Sequence, residues 1–261
     1  MTSLLKKSPA VSYCIITFLL SGLLLLLHFV FPAAGGYSVS FPQYAPTLGA
    51  LVFCLLTGNP AAFTDILKRL RPQRAHLKWY ACAVLLPVSL IALSALPLPM
   101  LELRYQPWGG DARFYILNII FMLFGCFGEE IGWRGFLLPA LQKRFSPFAG
   151  SLIIGTVWGV WHINFSYGIL GFLLFTITTI ELSAIMAWIY NQTSGSVLAM
   201  GIFHLLLNIC SRLWLWGRFG VTLYAVQAAV FGIACVIILV ISRKDFFRRP
   251  YLTEREESHA L

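Results

Sequence analysis

Eight apolar stretches constrain this chain more than any other feature it carries. They fall at about 10–32, 44–63, 77–97, 113–141, 147–165, 167–190, 195–213 and 219–241, and roughly 20 helical residues cross about 30 Å of hydrocarbon. Lipid offers no partner for backbone N–H and C=O groups, so such a segment must satisfy them internally, as a helix does. The expected fold is all-α: a polytopic membrane protein of about eight transmembrane helices. One transmembrane domain covers 1–241, with the polar outliers concentrated at 113–213, and 242–261 form a polar cytoplasmic tail. Composition agrees, since 59% hydrophobic against 11% charged residues exceeds what a water-soluble fold of this size carries. The second stretch is the least regular. Pro42, Pro46, Gly58 and Pro60 leave about a dozen uninterrupted apolar residues, so a re-entrant course stays open there.

The N-terminus also imitates a secretory signal, with Lys6 and Lys7, an apolar run, and then Ala33, Ala34 and Gly35. That run is longer than a signal core and long enough to span, so a retained first helix is expected. Cys14, Cys54, Cys82, Cys126, Cys210 and Cys235 all lie in apolar runs, where sulfur behaves as a small hydrophobe. Neither disulfides nor zinc-finger spacing is expected.

Charge sets orientation. Of the 19 Lys and Arg residues, fourteen fall at one set of helix ends and four at the other, with Arg134 inside a helix. Cytoplasmic loops retain the positive residues, which predicts a multi-pass cell-membrane protein with both termini cytoplasmic. The net charge of +9 then reflects topology and contact with membrane lipid rather than nucleic acid, which is not an expected partner.

Against this background a few polar side chains stand out: Glu129, Glu130 and Arg134 in GEEIGWRGFLLPAL, His162 in GTVWGVWHI, and His204 with Asn208 in GIFHLLLN. A charge inside the bilayer is costly and rarely retained without a role. Counted from their helix ends, Glu129 and His162 lie roughly 21–22 Å deep, and His204 and Asn208 about 12 and 18 Å deep. Polar groups from three helices at similar depth predict one wet cavity, expected to open to the cytoplasm. Glu130 and Arg134 are spaced i, i+4 with the acid first, the favourable order. Glu129, about 100° around the helix, lacks that partner and is the freer group for proton transfer. His204 and Asn208 share a face, suited to holding an oxyanion, and His162 with Glu129 suits water activation.

Other features have plainer readings. Gly125, Gly128, Gly132 and Gly135 line one helix face, as Gly155 and Gly159 do on the next helix; close helix approach is the expected use, with an extended substrate backbone as the other. Glu181 reaches similar depth and matches no motif. A bond to Thr178 on the same face is expected for it, with a cation or amine site in the cavity as the alternative.

The residues together resemble the intramembrane proteases of the CAAX-protease and bacteriocin-processing group, which includes the type II CAAX prenyl endopeptidases. That pattern is Glu-Glu-x-x-x-Arg, an aromatic four residues before a histidine, then His-x-x-x-Asn or His-x-x-x-Asp. Here it appears as Glu129, Glu130 and Arg134; Trp158 and His162; and His204 and Asn208, over about 80 residues from Gly128 to Asn208. The run IYNQTSGSVLAMGIFHLLLN also looks like the group's approach to its last motif. Trp158 departs from the usual phenylalanine, and the first three helices offer no motif. The resemblance implies an endopeptidase in which Glu129 and His162 activate water, His204 and Asn208 stabilise the oxyanion, and Glu130 and Arg134 brace the site. Its substrate is a membrane-associated peptide or protein tail, prenylated or not; oligomeric state stays open. A divalent metal such as zinc, held by Glu129, His162 and His204, is the other chemistry such a set suits; metal-free water activation is the expectation. Two further function classes remain at this level: a proton- or ion-coupled transporter, which Glu181 suits but the lack of an internal repeat does not, and a non-catalytic immunity or scaffold protein of the same fold.

Overall fold

A computed structural model describes residues 2–30, 41–72, 76–101, 112–215 and 220–248. Eight apolar helices dominate it: α1 (Pro9–Val30), α2 (Ala45–Leu56), α3 (Leu77–Ala95), α4 (Ala112–Gly132), α5 (Pro147–Trp161), α6 (Gly168–Gln192), α7 (Val197–Trp214) and α8 (Val221–Ile241). They coincide with the eight apolar stretches. Six of the helical segments are long and apolar enough to cross a membrane, whereas Phe41–Leu56 and Pro147–Trp161 are shorter. The expected count of eight full spans is therefore approximate. Among the described residues there is no strand. The sequence positions of the signal-like Ala33–Gly35 and most of the tail, 249–261, lie outside the described residues.

Local chemistry explains where the helices begin. Ser146 and Ser196 cap α5 and α7 by accepting from the backbone N–H of Ala149 and Ala199, and Pro147 supplies the first turn of α5 without an N–H to satisfy. Beyond α4 the chain stays helical but widens, with a π-helical turn at Trp133–Leu137 before a last α-turn at Leu138–Gln142. Pro139 accounts for the widening. It lacks the N–H that would bond the Gly135 carbonyl one turn back, and its ring crowds that carbonyl. Arg69, just after the Pro60–Lys68 helix, fills the gap: its guanidinium donates to Gly135 O at 2.6 Å and to the Tyr190 hydroxyl at 2.7 Å.

The glycine faces serve helix packing. A Cβ on Gly125, Gly128 or Gly132 would press into Gln43, Tyr44 or the Pro46 backbone, one on Gly155 into the α6 backbone at Ile180, and one on Gly159 into the α6 side chains of Thr179 and Thr176. Thr47 adds a bond from its hydroxyl to the Gly128 carbonyl. These contacts press α2 against α4 and α5 against α6, so no substrate chain occupies either stripe. The interior is a continuous apolar cluster through Trp133, Ile154, Trp158, Ile185, Met200 and Phe203. Val11, Ile15, Leu19 and Leu23 on α1, with Ile233, Val236, Ile237 and Val240 on α8, face outward as a lipid-contacting surface.

The two ends of the bundle differ. At one, Arg144 donates to Lys7 O, Val197 N–H donates to Arg69 O, and Phe246 of the short helix Arg243–Phe247 is buried beside Phe148. This end carries the basic residues. At the other, Asn164 in the α5–α6 connection donates to the Tyr224 hydroxyl near the start of α8.

Candidate active site

Glu129, Trp158, His162, His204 and Asn208 all line one cavity of about 490 Å³. They come from α4, from α5 and its C-cap residue, and from α7, as the spacing predicted. Glu130 and Arg134, both fully buried, lie behind the cavity wall rather than in it.

The structure separates the two glutamates sharply. Glu130 Oε1 accepts from Arg134 Nη1 at 2.8 Å and from His204 Nδ1 at 2.9 Å. The i, i+4 pair forms as expected, while the histidine bond adds a partner 74 residues away that no spacing rule reveals. Because the carboxylate only accepts, His204 must donate through Nδ1, which leaves Nε2 as its cavity-side ring atom. A histidine oriented by a buried carboxylate is an arrangement that fixes tautomer and ring angle.

Glu129 is held by Trp158, whose indole Nε1–H donates to Oε2 at 2.7 Å. Oε1 remains for a second partner. The same tryptophan organises its surroundings: its ring meets His204 edge-on at 5.3 Å, and the Arg134 guanidinium lies over it at 4.5 Å, a cation–π contact. Its carbonyl accepts from His162 Nδ1 at 2.7 Å, so His162 likewise keeps Nε2 for the cavity. One residue therefore sets the geometry of both groups assigned to water activation. His162 caps the C-terminal end of α5, and the next residue, Ile163, has φ 48°. A β-branched residue in the left-handed region is strained, and this one lines the cavity.

Asn208 donates to Cys126 Sγ at 3.3 Å, a second neighbour unsuspected from sequence. Glu181 corrects an expectation outright. Thr178 gives its hydroxyl to the Phe175 carbonyl, not to Glu181, and Glu181 turns toward Gly232 on α8 with Oε2 lacking a hydrogen-bond partner. It does not line the cavity.

The cavity's lining runs from Glu129 and His204 through Asn164, Ser166, Arg212, Leu215 and Tyr224, toward the bundle end away from Lys143, Arg144 and Arg243.

The proposed metal set does not assemble as a ligand group. Among the described residues no three His, Cys, Asp or Glu side chains are placed to hold one ion.

Residues 111–210 match the family described as "Type II CAAX prenyl endopeptidase Rce1-like", an interval that contains every motif residue above. The chain is 25% identical over 223 residues to "CAAX prenyl protease 2" of Methanococcus maripaludis, covering 78% of this chain and 81% of that protein. It is 24% identical over 227 residues to "Lysostaphin resistance protein A" of Staphylococcus epidermidis, covering 80% of this chain but 56% of that longer protein.

Proposed function

We propose that this chain, similar over residues 111–210 to the Rce1-like family of type II CAAX prenyl endopeptidases, is a membrane protease that hydrolyses peptide bonds of membrane-associated peptides or protein tails with Glu129 as the general base. The observation that carries the reading is the pairing of Trp158 Nε1–H with Glu129 Oε2 in a cavity shared with His162, His204 and Asn208. A carboxylate with one oxygen pinned and one free can accept a proton from water at a fixed position.

Water bound between Glu129 Oε1 and His162 Nε2 loses a proton to Glu129 as its oxygen attacks the scissile carbonyl. The carbonyl π pair moves onto oxygen, and that oxyanion is met by His204 Nε2–H and the Asn208 amide. Glu130 Oε1, accepting from both His204 Nδ1 and Arg134 Nη1, fixes the His204 ring so that Nε2 faces the oxyanion. Collapse of the tetrahedral species breaks the C–N bond, and the proton on Glu129 passes to the leaving amine. Glu130 Oε1 joins Arg134 and His204 in one network that offsets part of the cost of burying charge, while Glu130 Oε2 and Arg134 Nε and Nη2 have no hydrogen-bond partner.

The prenylated or unprenylated nature of the tail, the cell-membrane location and the cytoplasmic placement of both termini belong to this proposal, the last resting on charge distribution alone. The transporter alternative loses its main support because Glu181 lies outside the cavity. The test is in-membrane cleavage of a peptide panel by purified protein, with product masses locating the bond. Folded His162→Ala and His204→Ala variants should lose cleavage, and full activity in either ends the assignment. Metal analysis of the same preparation, with chelator inhibition, decides whether an ion takes part.

A further inference from the structure

Gln43 lines the cavity from outside the three helices that carry the other polar groups. It sits in the 3-10 turn Phe41–Tyr44 that leads into α2. Two bonds just beyond it fix that entry: the Thr47 hydroxyl donates to the Gly128 carbonyl on α4, and the Tyr13 hydroxyl on α1 donates to the Pro46 carbonyl. From α4 itself the lining takes Met122 and Glu129, seven residues and about 10 Å of rise apart. Two carboxamides cover the stretch between them. Gln43 lies on Gly125, where a Cβ would strike its amide, and Asn208 donates to Cys126 Sγ at 3.3 Å. Gly125 and Cys126 are consecutive, so amides reaching in ahead of α2 and from α7 meet the α4 wall at one level, about 5–6 Å along the axis from Glu129.

Among the described residues the Gln43 carboxamide has no hydrogen-bond partner. Such a group carries two donors and an acceptor oxygen, and leaving it unmatched at membrane depth is costly. A peptide unit offers the complement, one N–H and one C=O. Met122 and Leu207 beside it in the lining are apolar, which suits an amide carried on an apolar chain better than an ion. An extended peptide advances roughly 3.3 Å per residue, so a peptide unit at Gln43 lies about two residues from the bond at Glu129. We propose that Gln43 binds the substrate main chain, accepting from a backbone N–H and donating to a C=O about two residues from the scissile bond, and thereby sets the register of cleavage whatever the side chains are. This rests on the protease reading above.

The experiment reads binding first and turnover second. Full-length Glu129→Gln protein in lipid nanodiscs is titrated with a fluorescent octapeptide of alternating leucine and alanine, and with its ester analogues, each replacing one backbone N–H by oxygen. One analogue is expected to bind about tenfold more weakly than the parent, because the donor matched to the Gln43 oxygen is gone. In Gln43→Met protein, which keeps the length of the side chain without its amide, that analogue and the parent should bind within about twofold of each other. Gln43→Glu keeps an acceptor and should restore the penalty. Analogues substituted elsewhere are the control, since a merely structural role for Gln43 would shift them and the parent alike. Product masses from protein with Glu129 intact should place the sensitive position about two residues from the cut bond. A penalty that survives Gln43→Met, no analogue weaker than the parent, no measurable binding, or a sensitive position at the cut bond itself overturns the proposal. A Gln43-dependent penalty in a protein that cleaves no peptide would end the protease reading and leave the main-chain contact standing.

Discussion

Replacing Trp158 by phenylalanine keeps an aromatic wall beside His162 and His204 but deletes the N–H that Glu129 accepts at 2.7 Å. The bond is buried and its acceptor is a carboxylate oxygen, so its removal costs about 1.5–3 kcal/mol. If that loss falls on the step in which Glu129 takes the proton from water, kcat drops roughly ten- to a hundredfold. KM should move little, because Trp158 acts on Glu129 and the two imidazoles rather than on remote parts of the peptide. The matched control is Trp161→Phe, the same chemical change one turn fraction away, where the indole donates to Ser21 Oγ instead of a carboxylate. Steady-state cleavage of one peptide by wild type and both variants, with thermal unfolding in the same detergent, separates the effects. The reasoning fails if Trp158→Phe retains the kcat of Trp161→Phe, or if its loss is wholly in KM.

Three other perturbations have defined outcomes. Glu130→Ala leaves the fully buried Arg134 without its counter-charge, so stability should fall by about 3–5 kcal/mol, visible as a lowered unfolding midpoint that Glu129→Gln does not share. Gly132→Ala drives a methyl into the Pro46 carbonyl and should cost about 1–3 kcal/mol, whereas Gly22→Ala, with nothing within 4 Å of its added Cβ, should leave the midpoint unchanged. Glu181→Gln should leave cleavage rates at the wild-type level, since this side chain lies off the cavity; a tenfold loss would return it to the mechanism.

The parts of this protein legible in its sequence are those governed by local periodicity. Apolar length located all eight helices, and the i, i+4 rule paired Glu130 with Arg134, because both depend on residues within one helix. Partners across helices were invisible. Neither the Trp158–Glu129 bond nor the His204–Glu130 bond follows from spacing, since each depends on how far α5 and α7 rotate about their axes. Rotation also undid the expectation for Glu181, which turns to the small residue Gly232 on α8. The π-helical turn did leave a signal: Gly135 followed by Pro139 marks a carbonyl without its helical donor, and Arg69 is the donor that replaces it. The end toward which the cavity extends is a property of the assembled lining, and charge counts on loops carry no information about it.

Delivery of water by Glu129 to a bond inside the bilayer is the central claim, and single-turnover cleavage in heavy-oxygen water tests it most directly. The account predicts one heavy oxygen in the newly formed carboxylate from the first turnover, together with a rate loss of about a hundredfold or more in folded Glu129→Gln protein. An unlabelled first-turnover product, or a Glu129→Gln variant that cleaves at the wild-type rate, would contradict it.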